Sequence, residues 1–518
     1  MVFKSLLDSK GSQRWIYIAV ATLVFAIAFT QDPVYVSNQT TKFLQGLAQA
    51  GLGNLQEDWL ANTIDPLPAF TFIVRWSYTF FGKLIFYVYP IAIFGIYVYS
   101  LTSIAAKLFR INDSVPKFLV FFALFIAAHG IRGEIFGVKL EILYQGLAEQ
   151  YIIDHYFHPA VFGVLMPLSM YLFWIRRPIW AVILLAIAAT LHPAYLPSAA
   201  LLTLSYMLIS WQRHQSWKPP LAIGVLAFVG VLPVFLYMTL PFQPTTAELF
   251  QQSQDILVNV RIPHHSLPQR WLLSIGAVIQ IAMMAGAIYL SRRTDLFWML
   301  LVPFASAIAL TILDIVTQNS SLSFTAPWRV SSFLMPISLV ILLAAFVDWI
   351  GRRWAGAIAD HERAIAIGAC VVIAGILIGN VFDQIEKFRA PDPPRAMMNH
   401  VRDTKQPGDT YLIPDGIQAY LDLEPLWKFR LYTGAPILAN VKSHPYKDVE
   451  VIEWFKRVEL IDRFYQGEFA ERCNVLQTIR DQYALSHVVM PTRKRDLECP
   501  NLSKTYEDEN YQVYSVSD

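Results

Sequence analysis

Long, nearly uninterrupted apolar runs are the feature that most restricts this chain. In a lipid interior every peptide N–H and C=O must find its partner within the segment, so a run that crosses has to be helical unless it closes a barrel. Crossing about 30 Å of hydrocarbon at about 1.5 Å per residue takes roughly 17 to 25 residues. Eleven runs approach that length, centred on 15–31, 84–104, 115–130, 159–175, 178–192, 194–211, 219–240, 271–290, 295–316, 330–348 and 364–381. The third and fifth are short. With 55% hydrophobic residues, only 15% charged ones and a mean hydropathy of +0.41, the chain is one that lipid solvates. The expected fold class is a polytopic α-helical membrane protein of about eleven transmembrane helices, followed by a soluble α/β domain.

Basic residues orient the spans, because short cytoplasmic loops carry the excess of Lys and Arg. Lys4, Lys10 and Arg14 form the first cluster, followed by Lys107, Arg110 and Lys117, then Arg176-Arg177, Arg213 with Lys218, Arg292-Arg293 and Arg352-Arg353. The first run could also be a cleaved signal, with Ala26 and Ala28 after an apolar core. A retained anchor is favoured because eleven spans then leave all six clusters cytoplasmic. The expected location is an inner or plasma membrane, with the N-terminus cytoplasmic and the C-terminal domain extracytoplasmic. The domains are 1–389 in the membrane, with a first external loop at 32–83, and 390–518 outside. Cys370 falls in the last span; Cys473 and Cys499 fall in the outer domain, where an oxidising compartment would let them form a disulfide.

Charged residues become frequent after about 390, and helical and strand patterns alternate. Ala396–Thr404 is expected as a helix, Thr410–Pro414 and Pro436–Val441 as strands. Val451, Trp454, Phe455, Val458, Ile461 and Tyr465 recur at helical spacing. A helix over Arg472–Tyr483 and strands around His487–Met490 and Tyr511–Val516 complete a partly parallel sheet.

No Walker loop, GxGxxG turn, HExxH or CxxC pair is present, and no basic stripe with interleaved aromatics suggests nucleic acid. Chemistry is therefore sought on the external face. In the first external loop Phe43, Leu47 and Ala50 share one face, expected to lie on the membrane surface. Gly51 and Gly53 stop that helix, and Asn54 is a candidate cap for the next. Glu57, Asp58 and Asp65 then project near the interface. Glu57 stands where a capping-box carboxylate would stand. Asp58 has no such role, which makes it the better candidate for chemistry.

Arg132, Arg261, Arg270 and Arg329 are the expected outside arginines nearest span ends, and an arginine fork matches phosphate oxygens. Among the outer histidines, His264-His265 beside Arg261 is the strongest pair, while His192, next to Pro193, reads as structural. Glu134, Glu141 and Asp154 are carboxylates that could join histidines at a divalent metal. Asp314, near the outer end of the ninth span, is expected to face a cavity.

An acidic pair in the first outside loop resembles the GT-C class of membrane glycosyltransferases, whose first external loop carries a DxD-like or Asp/Glu-pair motif; the matching residues are Glu57-Asp58. A closer resemblance, over most of the chain, is to a family of uncharacterised bacterial membrane proteins akin to GT-C enzymes. It rests on DWLANTIDPLPAF (58–70), RIPHH (261–265), APWR (326–329), and FRLYTG, KSHPY and EWFKR within 429–457. The resemblance implies transfer of a sugar from a polyprenyl-phosphate donor on the extracytoplasmic face. Asp58 would act as base or metal ligand with Glu57 in support, and Arg132, Arg261, His264, His265 and Arg329 would hold the donor. A divalent Mg or Mn would sit between Asp58 and Glu134. The partners are then the lipid-linked donor and membrane lipids. The alternative from another class is a non-enzymatic transporter or envelope assembly factor using the same surfaces.

Overall fold

A computed structural model describes residues 12–418, 426–493 and 497–517; Lys4 and Lys10 of the first basic cluster lie outside them. The chain forms two compact units. One comprises Met1–Asp32, Phe86–Tyr237 and Ile262–Phe388, the other Pro33–Ile85, Met238–Arg261 and Arg389–Asp518.

The first unit is built from apolar helices. Among the described residues, six helices are long and apolar enough to cross a membrane: Lys83–Phe109, Pro193–His214, Lys218–Thr239, Leu296–Thr317, Ser320–Arg353 and Glu362–Arg389. The other five expected runs form shorter apolar helices, Trp15–Phe29, Val115–Gly130, Pro159–Trp174, Pro178–Leu191 and Ile275–Ser291. For three of them the shortness has a local cause. Pro159 and Pro178 begin two of them, since proline needs no N–H partner in a first turn, and Ile131 leaves helical geometry after Gly130.

Ser331–Arg353 is the innermost helix, with every residue from Ser331 to Ile341 buried. Small hydroxyl residues let its neighbours approach closely: a Cβ on Gly146 would collide with Ser331 Oγ, and Ser331 Oγ accepts the Leu147 N–H at 2.8 Å. Ion pairs sit at helix ends, with Lys117 and Arg352 both on Asp348 (2.8 and 2.6 Å), and Arg213 on Asp295. Asp314 is buried and accepts from Ser323 Oγ at 2.6 Å, so a hydroxyl answers its carboxylate.

The second unit contains a four-stranded sheet in the order Tyr411–Leu412, His487–Pro491, Tyr511–Val516, Leu502–Glu507. The first pair is parallel and the others antiparallel. Met397, Met398, Tyr411, Phe429, Ile437, Val489 and Val513 share its core, and the helix Asp448–Gln466 buries Val451, Trp454, Val458 and Ile461. Cys473 and Cys499 form a disulfide with Cα atoms 5.4 Å apart. The expected strand at Pro436–Val441 is a single bridge, Ile437 to Tyr411. Its other donors are diverted: Ile437 N–H goes to Asp58 and Val441 N–H to the Asp415 carbonyl. The strand Leu502–Glu507 went unread because its mostly exposed residues show no apolar alternation.

Within this unit the segment Pro33–Ile85 departs from expectation. Phe43 and Leu47 are fully buried in protein, so their face does not lie on lipid. The exposed apolar face belongs to the next helix, Pro68–Phe81, where Phe72, Trp76 and Phe80 stack in sequence at 5.7 and 5.0 Å and remain 59, 46 and 62% exposed.

Candidate functional site

Asp58 ends a short turn, Leu55–Glu57, in extended geometry, which aims its carboxylate inward. Oδ1 accepts the N–H groups of Leu60 (3.0 Å) and Ala61 (3.4 Å); Oδ2 accepts Ile437 N–H at 3.1 Å and lies 3.0 Å from Arg430 Nε. The carboxylate is wholly withdrawn from solvent. Three backbone N–H donors and the charge of Arg430 satisfy what a buried carboxylate requires. Glu57 does not close a capping box; its Oε2 accepts Gly408 N–H at 2.8 Å. Asn54 instead donates from Nδ2 to the Gln406 carbonyl, and its own N–H reaches the Gly434 carbonyl at 2.8 Å. That last approach requires glycine on both sides. Gly53 and Gly434 have φ of +55° and +68°, and a Cβ on Gly53 would lie 2.4 Å from the Gly434 oxygen. The acidic turn is thus fastened to the FRLYTG helix, Phe429–Thr433.

Seven residues on, Asp65 has different surroundings. Its Oδ1 accepts Leu67 N–H at 2.8 Å, which starts the helix at Pro68. The half-buried carboxyl lines a cleft with Lys42, Thr63, Thr71, His444 and Tyr446. Burial raises its pKa above that of an ordinary aspartate, against the Leu67 N–H, Thr71 and Lys42, which pull it down. The cleft encloses about 20 Å³, room for one water-sized group such as a hydroxyl.

The opposite wall comes from the KSHPY run. Lys42 Nζ donates to Tyr446 Oη at 3.1 Å and lies 5.1 Å from that ring's centroid. Arg261 Nε donates to His444 Nδ1 at 3.1 Å, and its Nη2 to the Lys442 carbonyl at 2.7 Å. With Nδ1 accepting, the imidazole carries its proton on Nε2. Burial, then the charges of Arg261, Lys42 and Lys442, hold His444 well below the ordinary histidine range, so it is neutral. The carboxyl of Asp65, the neutral imidazole of His444, the phenol of Tyr446 and the ammonium of Lys42 therefore line one small cleft. This set can take a proton from a hydroxyl and face negative charge.

The other expected site residues lie in the first unit, except Arg261. Arg132 is committed to protein: Nη1 donates to Asp383 at 2.7 Å, and Nη2 to Thr30 Oγ1 and the Phe29 carbonyl. Glu134 stands exposed on a two-stranded hairpin opposite Lys139. His264, His265 and Arg329 flank one loop: His265 Nδ1 is 2.6 Å from the Ala148 carbonyl, and the turn Pro327–Val330 packs on the same Leu147–Glu149 segment. Ala148, Glu149 and Ala326 there adopt φ of +55°, +56° and +47°, strained for residues with a Cβ.

A metal between Asp58 and Glu134 does not fit these residues, because both Asp58 oxygens already accept from protein donors. Among the described residues no three of His, Cys, Asp and Glu converge as a ligand set.

The sequence alone assigns Lys42, His444 and Tyr446 no role and gives Asp65 only a place near the interface beside Glu57 and Asp58. The signal lay in KSHPY, a histidine and an aromatic beside a lysine in a proline-marked loop.

A family model described as a family of unknown function (DUF6541) matches residues 152–421, more than half of the chain. A second, described as a domain of unknown function (DUF6798), matches residues 393–461, which include FRLYTG, KSHPY and EWFKR. No curated protein matches the chain.

Proposed function

The chain belongs to the family of unknown function DUF6541, and we propose that this member is a membrane-bound glycosyltransferase that uses a polyprenyl-phosphate-linked donor on the extracytoplasmic face. All eleven apolar helices would then span, with the shorter ones in thinned or protein-covered regions. The observation that carries the reading is Asp65, a carboxyl of raised pKa in a hydroxyl-sized cleft beside Lys42, His444 and Tyr446.

In the proposed reaction the acceptor hydroxyl enters the cleft and gives its proton to the Asp65 carboxylate. The acceptor oxygen bonds to the anomeric carbon as the bond from that carbon to the donor phosphate oxygen breaks. The phosphate leaves with the electron pair, and Lys42 and the His444 N–H offset its charge. Exposed Phe72, Trp76 and Phe80 would hold the unit at the headgroup level where such a donor is presented.

The test is transfer of labelled sugar from a polyprenyl-phosphate donor by protein reconstituted in liposomes. Product formation with release of the polyprenyl phosphate supports the reading. Absence of transfer across a panel of donor sugars and acceptors contradicts it and leaves the transporter or assembly-factor alternative.

A further inference from the structure

A cavity in the first unit lies between the helices Ser12–Phe29, Val88–Phe109, Val115–Gly130, Leu165–Trp174 and Glu362–Arg389. Its volume is about 680 Å³, far more than a single water needs. Most of its wall is apolar, including Val24, Val98, Leu119, Phe122, Ile373 and Leu377. Water in such a space would find few partners, whereas a hydrocarbon chain would find dispersion contacts throughout.

Lys107, Asn112, Ser103 and Thr102 form a polar part of the wall, with the hydroxyls of Tyr17, Tyr99 and Tyr171 elsewhere in it, and among the described residues of the wall Lys107 is the only charged one. Lys107 is exposed, its ammonium lies 5.0 Å from the Trp174 ring centroid, and among the described residues no carboxylate pairs with it. From Val98 to Lys107 the wall follows about 14 Å of helix, close to half of a hydrocarbon core. An apolar slot of one-leaflet depth, with a lysine in its wall that no carboxylate among the described residues pairs with, matches one chain and one phosphate.

We propose that this cavity binds a single anionic phospholipid, one acyl chain inside and its phosphate at Lys107. The cavity shares no residue with the Asp65 cleft, so the proposal stands whether or not the protein transfers sugar. The basic clusters Lys107, Arg110 and Lys117 place this part of the wall on the expected cytoplasmic side, where anionic headgroups concentrate.

Native mass spectrometry of the detergent-purified full chain, offered phosphatidylglycerol or phosphatidylcholine, tests it. The expected result is one retained phosphatidylglycerol with at least tenfold preference over phosphatidylcholine. Lys107→Gln should abolish the preference, and Ala21→Trp, which fills the slot, should abolish retention. Cys370, an exposed thiol in the same wall, gives a check without substitution: phosphatidylglycerol should slow its maleimide modification several-fold more than phosphatidylcholine. Equal retention of the two lipids, a preference that survives Lys107→Gln, or equal protection of Cys370 would overturn the proposal.

Discussion

Asp58 and Arg430 face each other at 3.0 Å with both side chains buried, which fastens the acidic turn of the DWLANTIDPLPAF stretch to the FRLYTG helix. Removing one partner strands the other charge in the interior. Asp58→Asn should therefore cost about 3–5 kcal/mol of stability. The check is thermal melting and protease resistance beside Glu57→Gln, which changes an exposed residue and should cost much less. An Asp58→Asn protein that melts with the parent would contradict the structural role.

Asp415 gives the second unit a pH-dependent stability. It is fully buried, and that burial pushes its pKa up to about 7, against opposing contributions from Asn440 and Arg430. In the unfolded chain an aspartate titrates near about 4. Between these values the folded state binds the extra proton, so stability falls as pH rises, by up to ~4 kcal/mol above pH 7. Asp415→Asn is neutral throughout and should flatten the slope, leaving the variant the more stable of the two at pH 8. Melting curves from pH 4.5 to 8 decide this; parallel pH dependences would refute it.

Phe72, Trp76 and Phe80 form an exposed aromatic ladder on Pro68–Phe81. If they lie among headgroups, an environment-sensitive fluorophore on Trp76→Cys, in a Cys370→Ser background, should shift to the blue in liposomes relative to the same label on Arg402→Cys. Equal, water-like emission at both positions would place the ladder away from lipid.

How much of this was legible in the sequence depended on how local the cause was. Apolar runs and helical spacing rest on neighbouring residues, and the helices at Arg395–Thr404 and Asp448–Gln466 fall where periodicity put them. Which apolar face stays exposed was harder to read, because Phe43 and Phe72 are equally apolar and only tertiary packing buries the first. Harder still were the carboxylates. Asp58 attracted attention through its acidic neighbour, but the residue whose N–H fills its second oxygen is 379 positions away. Asp65 reads as one of three carboxylates near the interface, and the cleft it lines is completed by His444 and Tyr446, nearly four hundred positions away.

The account turns on Asp65, not Asp58, being the base. The decisive measurement is the pH dependence of sugar transfer by the parent, Asp65→Asn and Asp58→Asn proteins, with melting curves alongside. The parent's rate should rise with pH through a midpoint above that of an ordinary aspartate. Asp65→Asn should lose at least about a hundredfold in rate while melting normally, as expected for a general base. Asp58→Asn should melt early yet keep, in its folded fraction, the parent's pH profile. Undiminished transfer by Asp65→Asn would contradict the account.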